Sequence, residues 1–358
     1  MFGGFVGFAY LCRLMKPTND LNIRKSIAIM VLAATFAACS GDSTDTPANG
    51  YNDGPTNPSG EAEEIRVNAD VFQMMDGTRA TTFDNDAAIQ TEGSFFCTAY
   101  DAGTTTINTA SNVNSQVNWN SGTSSWAFAD GTHNWPGTGD LDFFAYMPAP
   151  RPSYIAADPD ITFTAAHNVT FTCSSLPMEY SSATPTDEQG SNLKEFMFGM
   201  ALGQNRDNAG TGVSLQFQHP FARIRLQLAA SHPNITINSI TFRSIKNNGN
   251  YDHSASPKWS TTGDATDFVL SLTGGAADFV DNTTSPKPIG SDFIMIPQNW
   301  TGEIVVNADC LFWGDKVNYP SLTTTIPTDW QPGYSYTYTF NISPDDLIVN
   351  ISKYTEQW

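Results

Sequence analysis

Alternation of apolar and polar residues with a period of two dominates this chain. Its cleanest stretch is YSYTYTFNI, where Tyr334, Tyr336, Tyr338, Phe340 and Ile342 alternate with Ser335, Thr337, Thr339 and Asn341. A period of two sets one row of side chains against a core and the other away from it, so it predicts a half-buried strand. EIRVNADVF repeats the pattern near the N-terminus, with Ile65, Val67, Ala69 and Val71 alternating with Arg66, Asn68 and Asp70. In VSLQFQH the apolar row is Val213, Leu215 and Phe217. In ARIRLQLAA it is Ile224, Leu226 and Leu228, which turns Arg223 and Arg225 toward solvent or a polar partner.

Shorter strand-like runs fill the intervals. SFFCTAY, SQVNW, SWAFA, LDFFAYMP, NVTFTCS and EFMFGMAL lie in the first half, and ITINSITFRSI, DFVLSL, DFIMIPQ, GEIVVNADCLFW and DLIVNIS in the second. No helix-period run of 12 or more residues interrupts the first set. GQNRDNAGTG, residues 203–212, has the loop composition of a domain boundary. The pattern therefore predicts an all-β chain of two tandem antiparallel β-sandwiches, residues 61–205 and 206–358. A length of 358 residues suits two cores of ordinary size.

The N-terminus follows a different order. Arg24 and Lys25 precede an apolar run at 27–37 that ends in FAACSGD. Positive flank, apolar run and small residues in that sequence make a secretory signal, residues 1–38. The run of 11 residues is too short for a helix to cross a bilayer core, which takes ~20 residues. Met15 would itself begin a normal signal, which makes it a candidate true start. The Ala37-Ala38-Cys39 ending resembles the lipobox of bacterial lipoproteins, in which the cysteine is acylated and becomes the new N-terminus, with Phe36 where Leu or Val is usual. Ordinary cleavage that leaves Cys39 a spare thiol is the alternative. Residues 39–60 are Gly, Pro, Ser, Asn and Asp with one aromatic, the composition of a disordered tether.

Charge and chemistry narrow the function. Thirty-six acidic residues against 17 basic ones give a formal net charge of −19, a field that repels nucleic acid. Five histidines stand alone, without H-E-x-x-H or a pair at ligand spacing, and no G-x-S-x-G, Walker loop or G-x-G-x-x-G occurs. The sequence therefore predicts no enzyme, no cofactor and no metal. Cys97, Cys173 and Cys310 match no zinc spacing and read as small buried hydrophobes. His219, just before a proline, reads as a hydrogen-bonded corner residue. Trp119, Trp126 and Trp135 fit a packed core, and a glycan-stacking platform is the competing reading.

Several features together resemble the fimbrillin family, the type V pilins of anaerobic Gram-negative bacteria. They are the lipobox cysteine, the polar tether, a strand followed by TRA, WPGTGDLDFFAYMP, VSLQFQHPFARIRLQL, FIMIPQ and WQPGYSYTYTFNI with a last tryptophan. Pro220 and Phe221 stand where the family more often shows Ala-Leu. The resemblance implies two transthyretin-like β-sandwiches, export as a lipoprotein of the outer membrane, and assembly with other subunits into cell-surface fimbriae that serve adhesion. It also implies a maturation protease that cuts after an arginine and removes the first strand. Here that bond is Arg79-Ala80 and the removable strand is Ile65, Val67, Ala69 and Val71. A donor strand from a neighbouring subunit would fill the vacated groove. The candidate donor is Leu347, Val349 and Ile351, a segment that reads equally well as the last strand of its own domain. The role expected is a stalk or tip pilin, and the alternative is a non-polymerising surface lipoprotein that binds glycan or a host ligand.

Overall fold

The computed structural model describes residues 63–71, 86–156, 162–164, 166–182, 194–229, 235–272, 278–279, 286–312, 315–343 and 348–357. The signal segment, Cys39 and the tether, Arg79, Ala80 and Leu347 lie outside the described residues.

The first alternating segment forms β1 (Val67–Val71). A helix follows, α1 (Asp86–Glu92), in a polar stretch where the pattern predicts no element. Its seven residues bury Ile89 alone, too little to register as a helical period. Gly93 ends it at φ +84°, a left-handed conformation open to glycine, with its N–H on the Ile89 carbonyl at 3.1 Å. Next come β2 (Ser94–Asp101), β3 (Asn114–Asn120), β4 (Ser125–Phe128), β5 (Leu141–Met147), β6 (Thr162–Phe163), β7 (Val169–Cys173), β8 (Glu179–Ser182), β9 (Met197–Gln204) and β10 (Val213–Gln218).

All of these strands except β6, β7 and β8 form one seven-stranded sheet in the order β1-β10-β9-β5-β2-β3-β4. One face carries a core of Phe95, Phe143, Leu215 and Phe217, closed by Ile89 of α1 and by Val113. The sheet curls until its edges meet. The Ile65 N–H donates to the His133 carbonyl at 2.8 Å and the Trp135 N–H to that of Glu63 at 2.9 Å.

The rest of the chain supplies β11 (Ala222–Leu228), β12 (Ile235–Asp252), β13 (Trp259–Leu272), β14 (Asp278–Phe279), β15 (Lys287–Pro288), β16 (Phe293–Met295), β17 (Asn299–Trp300), β18 (Glu303–Phe312), β19 (Asp315–Thr325), β20 (Thr328–Asp329), β21 (Tyr334–Ser343) and β22 (Ile348–Gln357). One sheet runs β15-β11-β21-β22 with β16 beside β11. Another runs β19-β18-β12-β13-β8, with β7 and β14 on β12 and β6 on β7, while β17 and β20 make a small ribbon. Phe242, Phe268, Phe293, Tyr338 and Phe340 fill the larger core, and Phe144, Phe196 and Phe198 of the first half join it.

Hydrogen bonding does not follow a division at 205/206. β10 lies beyond that point yet pairs with β9 in the first sheet, whereas β7 and β8 lie before it and pair with β12 and β13. The segment 205–212 is a tight connection between antiparallel neighbours. Asn205 caps a short 3-10 turn, Arg206–Asn208, through its side chain. Turn and linker share a composition, so sequence alone does not separate them.

Most pairs are antiparallel; β1 with β10, β11 with β21, and β13 with β8 run parallel. Arg223 is buried rather than turned to solvent, because β11 is an interior strand, and its Nε donates to Ser335 Oγ at 3.1 Å. Arg225 does find a polar partner, with Nε 3.1 Å from Asp292 Oδ2. Cys97, Cys173 and Cys310 are buried free thiols. Burial pushes the Cys173 thiol up to about 12, which leaves it unreactive at neutral pH.

Candidate functional site: the sheet edge that β1 occupies

β1 lies along the outer edge of β10 in parallel register, with Val67 opposite Val213, Ala69 opposite Leu215 and Val71 opposite Phe217. Alternation sends Ile65, Val67 and Ala69 inward, where they are 1, 2 and 5% exposed. All three belong to the core that Leu215 and Phe217 share. Burying a large aliphatic side chain contributes about 1.5–3 kcal/mol, so Ile65 and Val67 together hold the strand with roughly 3–6 kcal/mol. A strand fixed in this way shields both an apolar slot and a row of backbone amides.

Polar contacts set the register. The Val213 N–H donates to the Arg66 carbonyl at 2.7 Å. Asn68 Nδ2 donates to the Thr211 carbonyl at 3.1 Å, and the Ser214 hydroxyl donates to the Asp70 carboxylate. Arg206 Nε reaches Glu63 Oε2 at 2.7 Å. Gly212 makes the approach possible, since it sits at φ +79° and a Cβ there would lie 2.9 Å from Asn68 Nδ2. Sequence reasoning missed Gly212, which reads as one more loop glycine until β1 is laid beside it.

The far edge of the sheet anchors the start of the strand. His133, whose carbonyl holds the Ile65 N–H, has Nδ1 2.9 Å from the Ser111 carbonyl and Nε2 2.9 Å from Asp130 Oδ1. Burial raises the Asp130 pKa, but hydrogen bonds from Ser115 and His133 outweigh it and leave the carboxyl below its ordinary value.

The structure ties down Arg66, the arginine that precedes β1. The Arg66 carbonyl is taken by β10, while its side chain makes an exposed pair with Glu64 at 3.4 Å. The chain's other candidate strand behaves differently. Val349 and Ile351 lie in β22, which pairs antiparallel with β21 over ten residues, Ile351 opposite Phe340 and Val349 opposite Ile342. In this structure the C-terminal segment is the last strand of its own sheet.

A family profile described as Fimbrillin-like matches residues 78–358. The chain belongs to the fimbrillin-like family. Among solved structures, this fimbrillin-like chain is similar to a candidate cell adhesion protein from Bacteroides ovatus, with 16% identity, a TM-score of 0.53, and 83% of this chain and 98% of that one covered. It is similar also to a fimbrial protein from Bacteroides vulgatus, with 14% identity, a TM-score of 0.51, and 82% and 99% covered. Identities this low establish a shared fold. No curated protein matches the sequence.

Other singled-out residues are structural. His219 Nδ1 lies 2.8 Å from Glu195 Oε1 at a buried corner. Trp135 packs on Phe143 at 5.9 Å and Trp126 on Phe95 at 4.9 Å, both edge to face, so they belong to the core rather than to an open platform. Trp119 is half-buried against Trp126. Among the described residues, no group of three or more His, Cys, Asp or Glu is arranged to hold a metal ion.

Proposed function

We propose that this fimbrillin-like chain is a structural subunit of cell-surface fimbriae, a stalk or tip pilin that is lipidated at Cys39, cleaved after Arg79 and joined to its neighbours by strand exchange. The observation that carries the reading is the inward row of Ile65, Val67 and Ala69 on the free edge of β10. The strand also lies N-terminal to Arg79 and outside the stretch matched by the family, which begins at 78.

The physical sequence is simple. While attached, β1 covers the β10 edge and keeps the subunit monomeric. Hydrolysis of the Arg79-Ala80 bond unties it from the body, so its dissociation is no longer opposed by the short tether. The exposed slot then favours an incoming strand, whose main-chain hydrogen bonds supply affinity and whose alternate side chains fix the register. A donor needs large apolar residues at the positions of Ile65 and Val67 and a small one at Ala69. For the C-terminal segment to serve, β22 must first leave β21, a ten-residue separation that supports its reading as an integral strand. The subunit's role is mechanical and adhesive at the cell surface, with the lipid on Cys39 as its outer-membrane anchor before processing.

The test is limited digestion of the full chain with an Arg-specific protease, followed by N-terminal sequencing and electron microscopy. The expected product begins at Ala80, stays folded and forms polymers. A new N-terminus at Val67, or degradation without a stable fragment, overturns the proposal.

A further inference from the structure

The turn at 253–258 joins β12 to β13, and main-chain bonds hold both of its ends. The Asp252 N–H donates to the Lys258 carbonyl at 2.8 Å, and the His253 N–H donates to the Val169 carbonyl, at the start of β7, at 2.9 Å. The Asp252 carboxylate fastens the same turn, accepting from Asn168 Nδ2 at 2.7 Å and from the Ser254 N–H at 2.9 Å. Phe198 of β9 packs edge to face on the His253 ring, with centroids 5.4 Å apart. Backbone and ring are therefore both fixed.

That frame brings two further titratable groups to one ring nitrogen. His253 Nδ1 lies 3.2 Å from Tyr251 Oη and 3.4 Å from Lys258 Nζ. An ammonium only donates, so Nδ1 is the acceptor and the imidazole carries its proton on Nε2. Lysines elsewhere are engaged differently: Lys194 and Lys316 pair with Glu92 and Asp309, and Lys246 Nζ donates to the Gly263 carbonyl. Lys258, half-buried beside Trp259, faces an imidazole instead. Burial pulls its ammonium below the ordinary lysine value. Burial and the Lys258 charge also pull the His253 imidazole down, against the opposing pull of Asp252, so the ring is neutral at neutral pH and can take a proton. Burial pushes the Tyr251 hydroxyl up, so it keeps its own proton.

We propose that Lys258 is a modification site, an amine that takes an acyl group from an activated ester with His253 as its proton acceptor. The lone pair of the neutral Nζ attacks the ester carbonyl carbon and forms the N–C bond. The bond from that carbon to the leaving oxygen breaks, and the oxygen departs with the electron pair. The surplus proton on Nζ passes to His253 Nδ1 and from the imidazole to water. The product is a neutral amide, which removes one of the 11 basic residues that follow Arg79. The site is independent of the strand-exchange reading, because it uses none of the β1 or β10 residues.

The experiment is labelling of the full chain at neutral pH with less than one equivalent of N-acetoxysuccinimide, followed by peptide mapping by mass spectrometry. Lys258 should acquire the acetyl group about threefold or more faster than Lys194 and Lys316, because a lowered pKa frees more amine than it costs in intrinsic nucleophilicity. Its rate should also level off at a lower pH than theirs. The variant His253→Gln should slow Lys258 about threefold or more and leave Lys194 unchanged, since only Lys258 loses its proton acceptor. Should that variant fail to fold, the pH profile of the unaltered chain decides. Uniform labelling of the three lysines, a Lys258 rate unchanged in the folded variant, or a Lys258 profile that coincides with that of Lys194 overturns the proposal.

Discussion

Both ends of the described chain supply an edge strand, and the two are attached in opposite ways. β22 turns back on β21, its neighbour in sequence, and pairs antiparallel over ten residues. β1 pairs parallel with β10, more than 140 residues away, over five. Antiparallel neighbours cost little loop-closure entropy, whereas a distant parallel partner brings slightly weaker bonds and a long closure. A hairpin strand is part of the unit that folds, while a strand recruited from afar can be lost with its partner left intact. In the proposed function, removal of β1 rather than β22 would follow from topology more than from hydrophobicity, since both segments alternate alike in sequence.

The largest expected effect tests this contrast directly. A chain ending at Ser343 lacks β22 and should yield insoluble protein without cooperative unfolding, as read by circular dichroism. A chain beginning at Ala80 lacks β1 and should remain soluble and folded with a lower Tm. Equal damage from the two deletions would erase the difference in attachment.

Just before β1, Ile65→Ala should lower unfolding free energy by about 2–5 kcal/mol in urea denaturation, the usual cost of emptying a buried aliphatic site. A much smaller loss would mean that β1 detaches before the sheet unfolds, which hydrogen exchange at Val67 and Ala69 would reveal. Gly212→Ala should cost about 1–2 kcal/mol through its left-handed backbone, and the contact with Asn68 adds to that. Asn68→Ala removes one hydrogen bond and should cost about 0.5–1.5 kcal/mol.

Acid supplies the smallest effect. The folded-state pKa of Asp130 is depressed, so its contribution is present above the ordinary carboxylate value and is lost as pH falls through the folded one. Asp130→Asn should therefore be slightly less stable than the unaltered chain at neutral pH, with the two converging in acid. Since Asp130 holds His133, and His133 holds Ile65, the same variant should loosen β1 before it affects β22.

Much of this was legible before any coordinates. The inward rows of β1, β10 and β21 follow from their period of two, and His219 and the three cysteines lie where their surroundings suggest. α1 was illegible because one buried side chain makes no period. Strand pairing across position 205 was illegible because a capped turn and a linker have the same composition. Gly212, Asn68 and His133 were invisible as site residues, since each acts only through a partner brought from more than 60 residues away.

Sequence alone determined most strands and their apolar rows, because a side chain's direction depends on its immediate neighbours in a pleated backbone. It determined also the acidic field and the family. Only the tertiary structure decided which strands pair, and that β1 lies on the free edge of β10 while β22 closes on β21. Pairing depends on contacts between distant segments, and nothing in the local pattern encodes which of many similar edges will meet.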